Sequence, residues 1–179
     1  DETFADDGTT IHGNAGGAWT AFKSGGGEEL SAATLVDIRA NVVHATATAA
    51  QYADLAERYA TDTPVETGEV VSLGGKEEIT KCMDDKSDAV FGVVSDHPAY
   101  LMNSEAGNND THPAIALKGR VPVRIAGKGS AGDRIVSAGY GAARVAAEGE
   151  ATTFNTLGRL IKDKYNEETA LTECVIGVK

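Results

Sequence analysis

Three adjacent residues, Ser95, Asp96 and His97, have the side-chain types of a hydrolytic triad. In such a triad the carboxylate orients the imidazole, and the imidazole takes the proton of the serine hydroxyl. Adjacent residues at a strand end point in alternating directions, whereas working triads are assembled from distant positions. The spacing therefore favours a turn in which Asp96 bonds the backbone before Pro98, and we predict no catalytic residue.

Two histidines and two carboxylates flank one loop and raise the question of a metal site. His97 and His112 each precede a proline at the two ends of this loop, and Asp96 and Asp110 lie beside them. Zinc takes such nitrogen and oxygen ligands. Histidines at loop ends are also common turn residues, and the chain offers no tighter ligand spacing. We therefore predict no metal.

The glycine-rich and acidic stretches indicate turns. "GGGEE" and "GKGSAGD" lack the Lys-Ser/Thr that follows the last glycine of a phosphate loop, so no cofactor is predicted. "DDKSD" at 84–88 lacks the twelve-residue calcium loop with its bidentate glutamate. In "GDR" at 132–134, Gly132 permits a positive φ and Asp133 can accept bonds from nearby amides. His12 and His44 have no evident companions.

Charge and cysteine content exclude several classes of function. The 179-residue chain has a formal net charge of -11, which would repel nucleic acid and anionic membranes, so neither is a predicted partner. No apolar run approaches the roughly 20 residues of a membrane helix. Cys82 and Cys174 are far apart and have no CxxC spacing, so no zinc site is expected. Buried free thiols are favoured, and a disulfide between the two is the alternative.

The elements that would position these residues are short strands from Gly68 onward. Within "AIALKGRVPVRIAG", Val121, Val123 and Ile125 alternate with polar positions, and Pro122 indicates an edge or a bulge. The run "AVFGVVS" is apolar throughout, which is typical of a strand buried on both faces. "HPAYLMNSEAGNNDTHP" is predicted to be a loop.

The chain ends in a predicted hairpin. One strand passes through "TLGRLIKD", a turn follows at "YNEET", and a closing strand passes through "ALTECVIGVK". Thr172, Cys174, Ile176 and Val178 then share one face. A helix containing Leu157, Leu160 and Ile161 is the alternative, and Gly158 disfavours it.

The first third of the chain is more ambiguous. The alternation in "TLVDIRANVV" predicts a strand. Tyr52, Leu55, Ala56 and Tyr59 have helical spacing, so we predict a short helix there; a strand with Ala53, Leu55, Glu57 and Tyr59 on one face is the alternative. Residues 1–31 are polar and glycine-rich, and they bury little on their own.

These patterns together predict a mainly β protein. The domain at 65–179 is expected to be a small barrel or sandwich of short strands, preceded by a connecting segment at 47–64. Residues 1–46 are expected to form an extended glycine-rich arm with one or two strands. Such an arm gains burial against another subunit. The predicted interface residues are Trp19, Phe22, Val36, Ile38 and Val42.

Several phrases resemble a β-rich module of tailed-phage virion proteins. They are "AAQYADLAERYATDTPVETGEVVSLGGKEEIT", "VFGVVSDHPAYLMN", "PAIALKGRVPVRIAGKGSAGDRIVSAG" and "TLGRLIKDK" with "LTECVIGVK". They are especially similar to C-terminal parts of tail-fibre and appendage proteins of marine and cyanobacterial myoviruses, over roughly residues 47–179. The resemblance implies a non-enzymatic structural protein of the virion, a homotrimer, and other phage virion proteins as partners.

The same phrases also resemble two other groups. The "YADLAE", "GEVVSL" and "VFGVVS" segments are similar to the self-cleaving chaperone domain of some phage appendages, which would place a cut near Ser87, Ser95 or Ser104. The order of "GVV", a "GD" turn and a late "GRL" is similar to β-barrel proteins that decorate phage capsids. A carbohydrate-binding module would need clustered exposed aromatics, for which Tyr100 and Tyr140 are the candidates.

Overall fold

The computed structural model describes residues 10–11, 22–23 and 53–178. The chain divides into two compact units, Asp1–Thr46 and Ala47–Lys179. In the first unit, β1 (Thr10–Ile11) pairs antiparallel with β2 (Phe22–Lys23). Of the predicted interface residues, only the backbone of Phe22 is described. Trp19, Val36, Ile38 and Val42, and with them the predicted strand in "TLVDIRANVV", lie outside the described residues.

Every regular element between residues 53 and 178 is a strand, so the prediction of a mainly β protein is confirmed. The strands are β3 (Asp54–Arg58), β4 (Val70–Leu73), β5 (Ile79–Lys81), β6 (Val90–Val94), β7 (Tyr100–Met102), β8 (Ala114–Ala126), β9 (Arg134–Gly139), β10 (Ala142–Val145), β11 (Thr156–Leu160) and β12 (Ala170–Ile176). The described residues form no helix long and apolar enough to cross a membrane.

Strand β8 organises the sheet. Its first half pairs antiparallel with β3 and β6, and its second half pairs antiparallel with β12. At Ile125 and Ala126 it also pairs in parallel with β10. This last pairing closes a ring of five strands in the order β8, β12, β11, β9 and β10, and β6, β4 and β5 continue the sheet from the first half of β8.

The side chains of β8 alternate as its sequence predicts. Val121, Val123 and Ile125 are buried, whereas Arg120 and Pro122 are exposed. The N–H groups of Arg120 and Arg124 donate to the carbonyl oxygens of Ala53 and Gly68, on the side of β8 that faces away from β12. The backbone nitrogen of Pro122 lies between them and faces the same side. Because it points away from β12, its lack of an N–H removes no hydrogen bond between β8 and β12.

Two buried clusters lie on opposite faces of the sheet. Strand side chains alternate, so the neighbours Val70 and Val71, like Val93 and Val94, belong to different clusters. The apolar run of β6 is therefore buried on both faces, as expected. In the second cluster the rings of Tyr59 and Phe91 meet edge to face, with centroids 5.1 Å apart.

The predicted short helix around residues 52–59 is wrong. Residues Asp54–Arg58 form β3, in which Asp54 and Ala56 are buried and Leu55 is partly exposed. β3 pairs with β8 on one side and with β7 on the other, and β7 lies inside the segment predicted to be a loop. Pairing with two strands outweighs the helical spacing, because local preference is weak against tertiary contacts.

The predicted C-terminal hairpin is confirmed. β11 and β12 pair antiparallel, with Gly158 opposite Ile176 and Leu160 opposite Cys174. Cys174 and Ile176 are fully buried, and Cys82 joins them in the same cluster. Both cysteines are free, as predicted, and burial raises the pKa of the Cys174 thiol to about 12.

Gly119 lets β3 and β12 approach β8 at one point. It is opposite Asp54 of β3 and Ile176 of β12, and its φ is +114°. A Cβ atom at Gly119 would lie 2.2 Å from the carbonyl oxygen of Ala53 and 2.8 Å from the Cα atom of Asp54.

We expect Gly119→Ala to destabilise the protein through both effects. The positive φ costs about 1–2 kcal/mol for a residue with a side chain, and the forced overlap with β3 adds about 1–3 kcal/mol. Gly132→Ala is the matched control, because Gly132 has a φ of +97° but open space around its Cβ position. Urea unfolding should show a clearly larger loss in the free energy of unfolding for Gly119→Ala than for Gly132→Ala. Equal losses would contradict the steric account of the close contact between Gly119 and β3.

Candidate functional site

Ser95, Asp96 and His97 follow β6 directly. The backbone N–H of Ser95 donates to the carbonyl oxygen of Ala114 at 2.9 Å, and the residue is buried. The Asp96 carboxylate, predicted to bond its own backbone, pairs with Nδ1 of His97 at 3.0 Å, and the two side chains are 60% and 63% exposed. In a catalytic triad the carboxylate is buried and holds the imidazole in place. The exposed pair does not have that setting.

A cleft of about 400 Å³ opens beside this turn. The turn forms one wall, and the start of β3 with Ala53 and Asp54 forms another. The remaining walls come from Arg120 to Pro122 of β8, from Leu171 and Glu173 of β12, and from Thr67. The fold therefore brings five separate segments of the chain together at one place.

Asp54 is the least exposed charged residue of this cleft, at 5%. Its Oδ1 atom accepts the Ala99 N–H at 3.3 Å, a bond that this N–H shares with the Asp54 carbonyl oxygen at 3.0 Å. Its Oδ2 atom is buried and has no hydrogen-bond partner in the described structure. No sequence pattern singles out Asp54, which lies in the segment predicted to be helical.

The two loop histidines have separate local partners. Nδ1 of His112 lies 3.0 Å from the Thr111 hydroxyl, and the His112 carbonyl oxygen accepts a bond from Arg58. Within residues 53–178, no three histidine, cysteine, aspartate or glutamate side chains are grouped so that they could hold a metal ion. His12 and His44 lie outside the described residues.

The loop at 84–88 is an exposed turn that Arg144 and Ser137 anchor. Nε and Nη2 of Arg144 donate to the two carboxylate oxygens of Asp85 at 2.8 and 3.0 Å. The buried Ser137 hydroxyl donates to the Asp84 carbonyl oxygen and accepts the Ser87 N–H. Asp85, one of the three acidic residues of this loop, is thus held by the guanidinium group of Arg144.

Glu150 completes an ionic cluster with Arg144, Asp85 and Lys86. Its carboxylate accepts bonds from Nη1 of Arg144 at 2.7 Å and from Nζ of Lys86 at 3.2 Å. These bonds, first that of Arg144, lower the pKa of Glu150 to about 2, and Arg144 also lowers the pKa of Asp85. The two carboxylates in turn raise the pKa of Arg144. The cluster ties the 84–88 loop and the segment around Glu150 to β10.

Lys164 is a second polar group that the sequence analysis missed. It is buried, and its Nζ atom donates to the carbonyl oxygens of Gly127, Asn166 and Glu168 and to the Asn166 side chain, at 2.6 to 2.8 Å. These oxygens satisfy its charge and fix the loop between β11 and β12. Lys164 is one of two lysines in "LIKDKYNEE", and no pattern in this stretch indicates which of them is buried.

The predicted turn at 132–134 is confirmed. Gly132 has a φ of +97°, and the Asp133 carboxylate accepts the Ser130 N–H at 2.8 Å. The two aromatics considered for carbohydrate binding, Tyr100 and Tyr140, are both exposed and lie on separate segments, in β7 and in the turn between β9 and β10.

Two solved structures share the fold of this chain. One is the pre-mature form of bacteriophage phi29 gene product 12, with a TM-score of 0.55 and 17% sequence identity. The match covers 77% of this chain and 23% of that chain. The other is the C-terminal fragment of bacteriophage phi29 gene product 12, with a TM-score of 0.50 and 18% identity. Here the match covers 70% of this chain and 100% of the fragment.

These matches define the fold class and leave function to be proposed. The chain spans less than a quarter of the pre-mature protein, 23% of its length, but the whole of the C-terminal fragment. The sequence matches no protein-family model. A search of the curated proteins finds no significant match either.

The Arg144 cluster predicts a loss of stability in acid. The pKa of Glu150 falls from its ordinary 4.5 to about 2 on folding, so the folded state binds fewer protons than the unfolded state between these values. Its contribution is present above about pH 4.5 and is lost as the pH falls toward 2. Melting temperatures measured across this range should fall less steeply in Glu150→Gln than in the parent protein.

Glu148→Gln is the matched control, because Glu148 is exposed and lies two residues away. Its acid profile should follow that of the parent protein. Parallel profiles for Glu150→Gln and the parent would contradict a stabilising role for the cluster.

Proposed function

We propose that this protein is a non-enzymatic structural component of a bacteriophage virion: a tail-fibre, appendage or capsid-decorating protein that acts by assembling with copies of itself and with other virion proteins. The observation that carries the proposal is the shared fold with the C-terminal fragment of phi29 gene product 12, all of which is covered by the match. The similarity of the sequence phrases to fibre and appendage modules supports the same class.

The polar groups of the described β unit are consistent with a scaffold. Arg144 ties the 84–88 turn and the segment around Glu150 to β10, Lys164 fixes the loop between β11 and β12, and Ser137 also anchors the turn at 84–88. Each is engaged by fixed partners within the protein. Fully satisfied polar networks make the structure around them rigid, which is what a scaffold requires.

A homotrimer is the assembly that we propose. Residues 1–46 would wrap a neighbouring subunit and contribute Trp19, Phe22, Val36, Ile38 and Val42 to the interface. A polar, glycine-rich arm can bury its few apolar side chains against a neighbouring subunit, which it cannot do alone. Placement in a fibre of the marine and cyanobacterial myovirus type is the finer form of the proposal, and it is supported by the sequence phrases alone.

The solution mass of the full chain tests this assembly. One chain has a mass of 18.5 kDa, and light scattering should give about three times that value. Ile38→Asp should shift the mass toward that of a monomer, because a charge in a buried interface lacks a partner. Asp88→Asn, an exposed change in the β unit, should leave the mass unchanged. A monomeric parent protein would contradict the proposal.

A self-cleaving chaperone domain is the second candidate. The observation in its favour is that Ser95 lines the same cleft as Asp54 and the Asp96–His97 pair. Cleavage by this serine would need the imidazole to remove the hydroxyl proton. The structural proposal predicts that the purified chain keeps a single intact mass during prolonged incubation. Fragments that form from the parent chain but not from Ser95→Ala would establish the second candidate instead.

A further inference from the structure

The cleft beside the 95–97 turn has an acidic lining. Asp54, Asp96 and Glu173 contribute carboxylates, whereas Arg120 is the one lysine or arginine among the residues that line it. His97 is paired with Asp96 at the rim. The field inside the cleft is therefore suited to a positively charged group.

Asp54 carries a buried carboxylate oxygen without a partner among the described residues. The residue is 5% exposed, and the oxygen is its Oδ2 atom. Buried carboxylate oxygens are normally satisfied, because an unmade bond to a buried charge is costly. The carboxyl torsion of an aspartate is soft, so a small rotation presents this oxygen to a group that enters the cleft.

Part of the lining is apolar. Leu171 of β12 is 55% exposed, and the exposed Pro122 of β8 also lines the cleft. Leu171 and Pro122 belong to the paired region of β8 and β12, so this part of the lining is held by the sheet. Such a surface packs against the methylene stem of a long charged side chain.

We propose that this cleft is a binding site for an arginine side chain of a partner protein. Its guanidinium group donates to Asp54 and to Glu173, and its aliphatic stem packs against Leu171 and Pro122. Arginine fits better than lysine, because its planar group has five donors and is more weakly hydrated. The site does not depend on the protein belonging to a virion.

Titration with N-acetyl-L-arginine amide tests the site directly. The full-length protein, labelled with ¹⁵N, should show saturable amide shifts at Ala53 to Leu55 and at Asp96 to Ala99, with a millimolar dissociation constant. N-acetyl-L-citrulline amide has nearly the same shape but no charge, and it should bind about tenfold more weakly or not at all. Asp54→Asn should weaken binding of the arginine probe by about tenfold or more.

Asp88→Asn removes an exposed carboxylate outside the cleft and should bind the probe as the parent does. If Asp54→Asn does not fold, Glu173→Gln takes its place, with an expected weakening of roughly threefold. The proposal is overturned if the citrulline probe binds equally well, or if the cleft variant that folds binds as the parent does. It is also overturned if the shifts lie elsewhere, or if none saturate up to ~50 mM probe.

Discussion

The crowding around β8 is the constraint on which the rest of the β unit depends. One strand of thirteen residues pairs with β3, β6, β12 and β10, so its register fixes the register of all four. A slip of one residue would turn Val121, Val123 and Ile125 out of the core and bury Arg120 and Arg124 instead. β3 can approach β8 closely at Gly119, where β12 pairs on the other edge, because a glycine leaves room for the Ala53 carbonyl group. The candidate cleft is a consequence of this arrangement, since Asp54, Arg120 and Glu173 are carried by three of the strands that meet there.

The sequence predicts strands whose pattern of apolar residues reflects burial, and it predicts turns that depend on neighbouring residues alone. The alternation in β8, the apolar run of β6, the closing hairpin and the Gly132–Asp133 turn were all predictable in this sense. β3 was not, because the spacing of Leu55, Ala56 and Tyr59 fits a helix and the pairing with β7 and β8 that decides the matter lies 45 or more residues away. The parallel pairing of β10 with β8 has no local signal for the same reason. Half of the candidate site could be predicted. The sequence predicts the turn at Ser95, Asp96 and His97, whereas the burial of Asp54 follows only from the pairing of distant strands.

Arg144, Lys164 and Asp54 differ in how their polar atoms are satisfied. Arg144 and Lys164 satisfy their charges with several fixed oxygen partners each, and these contacts hold loops in place. Asp54 is different, because one of its oxygens is buried without a donor. A protein built for assembly gains from such an unmade bond if a partner supplies the donor, since the bond is then formed only in the correct complex. The arginine site proposed for the cleft therefore fits the assembly role proposed for the protein, because both need a partner protein.

Native-state hydrogen exchange of backbone amides tests the central position of β8 most directly. If the β unit is built around this strand, the amides of Val121, Val123 and Ile125 should exchange only through global unfolding and be among the slowest in the protein. The amides of β5, at the end of the sheet path, should exchange faster through local opening. Exchange of β8 amides as fast as those of β5 would contradict the account.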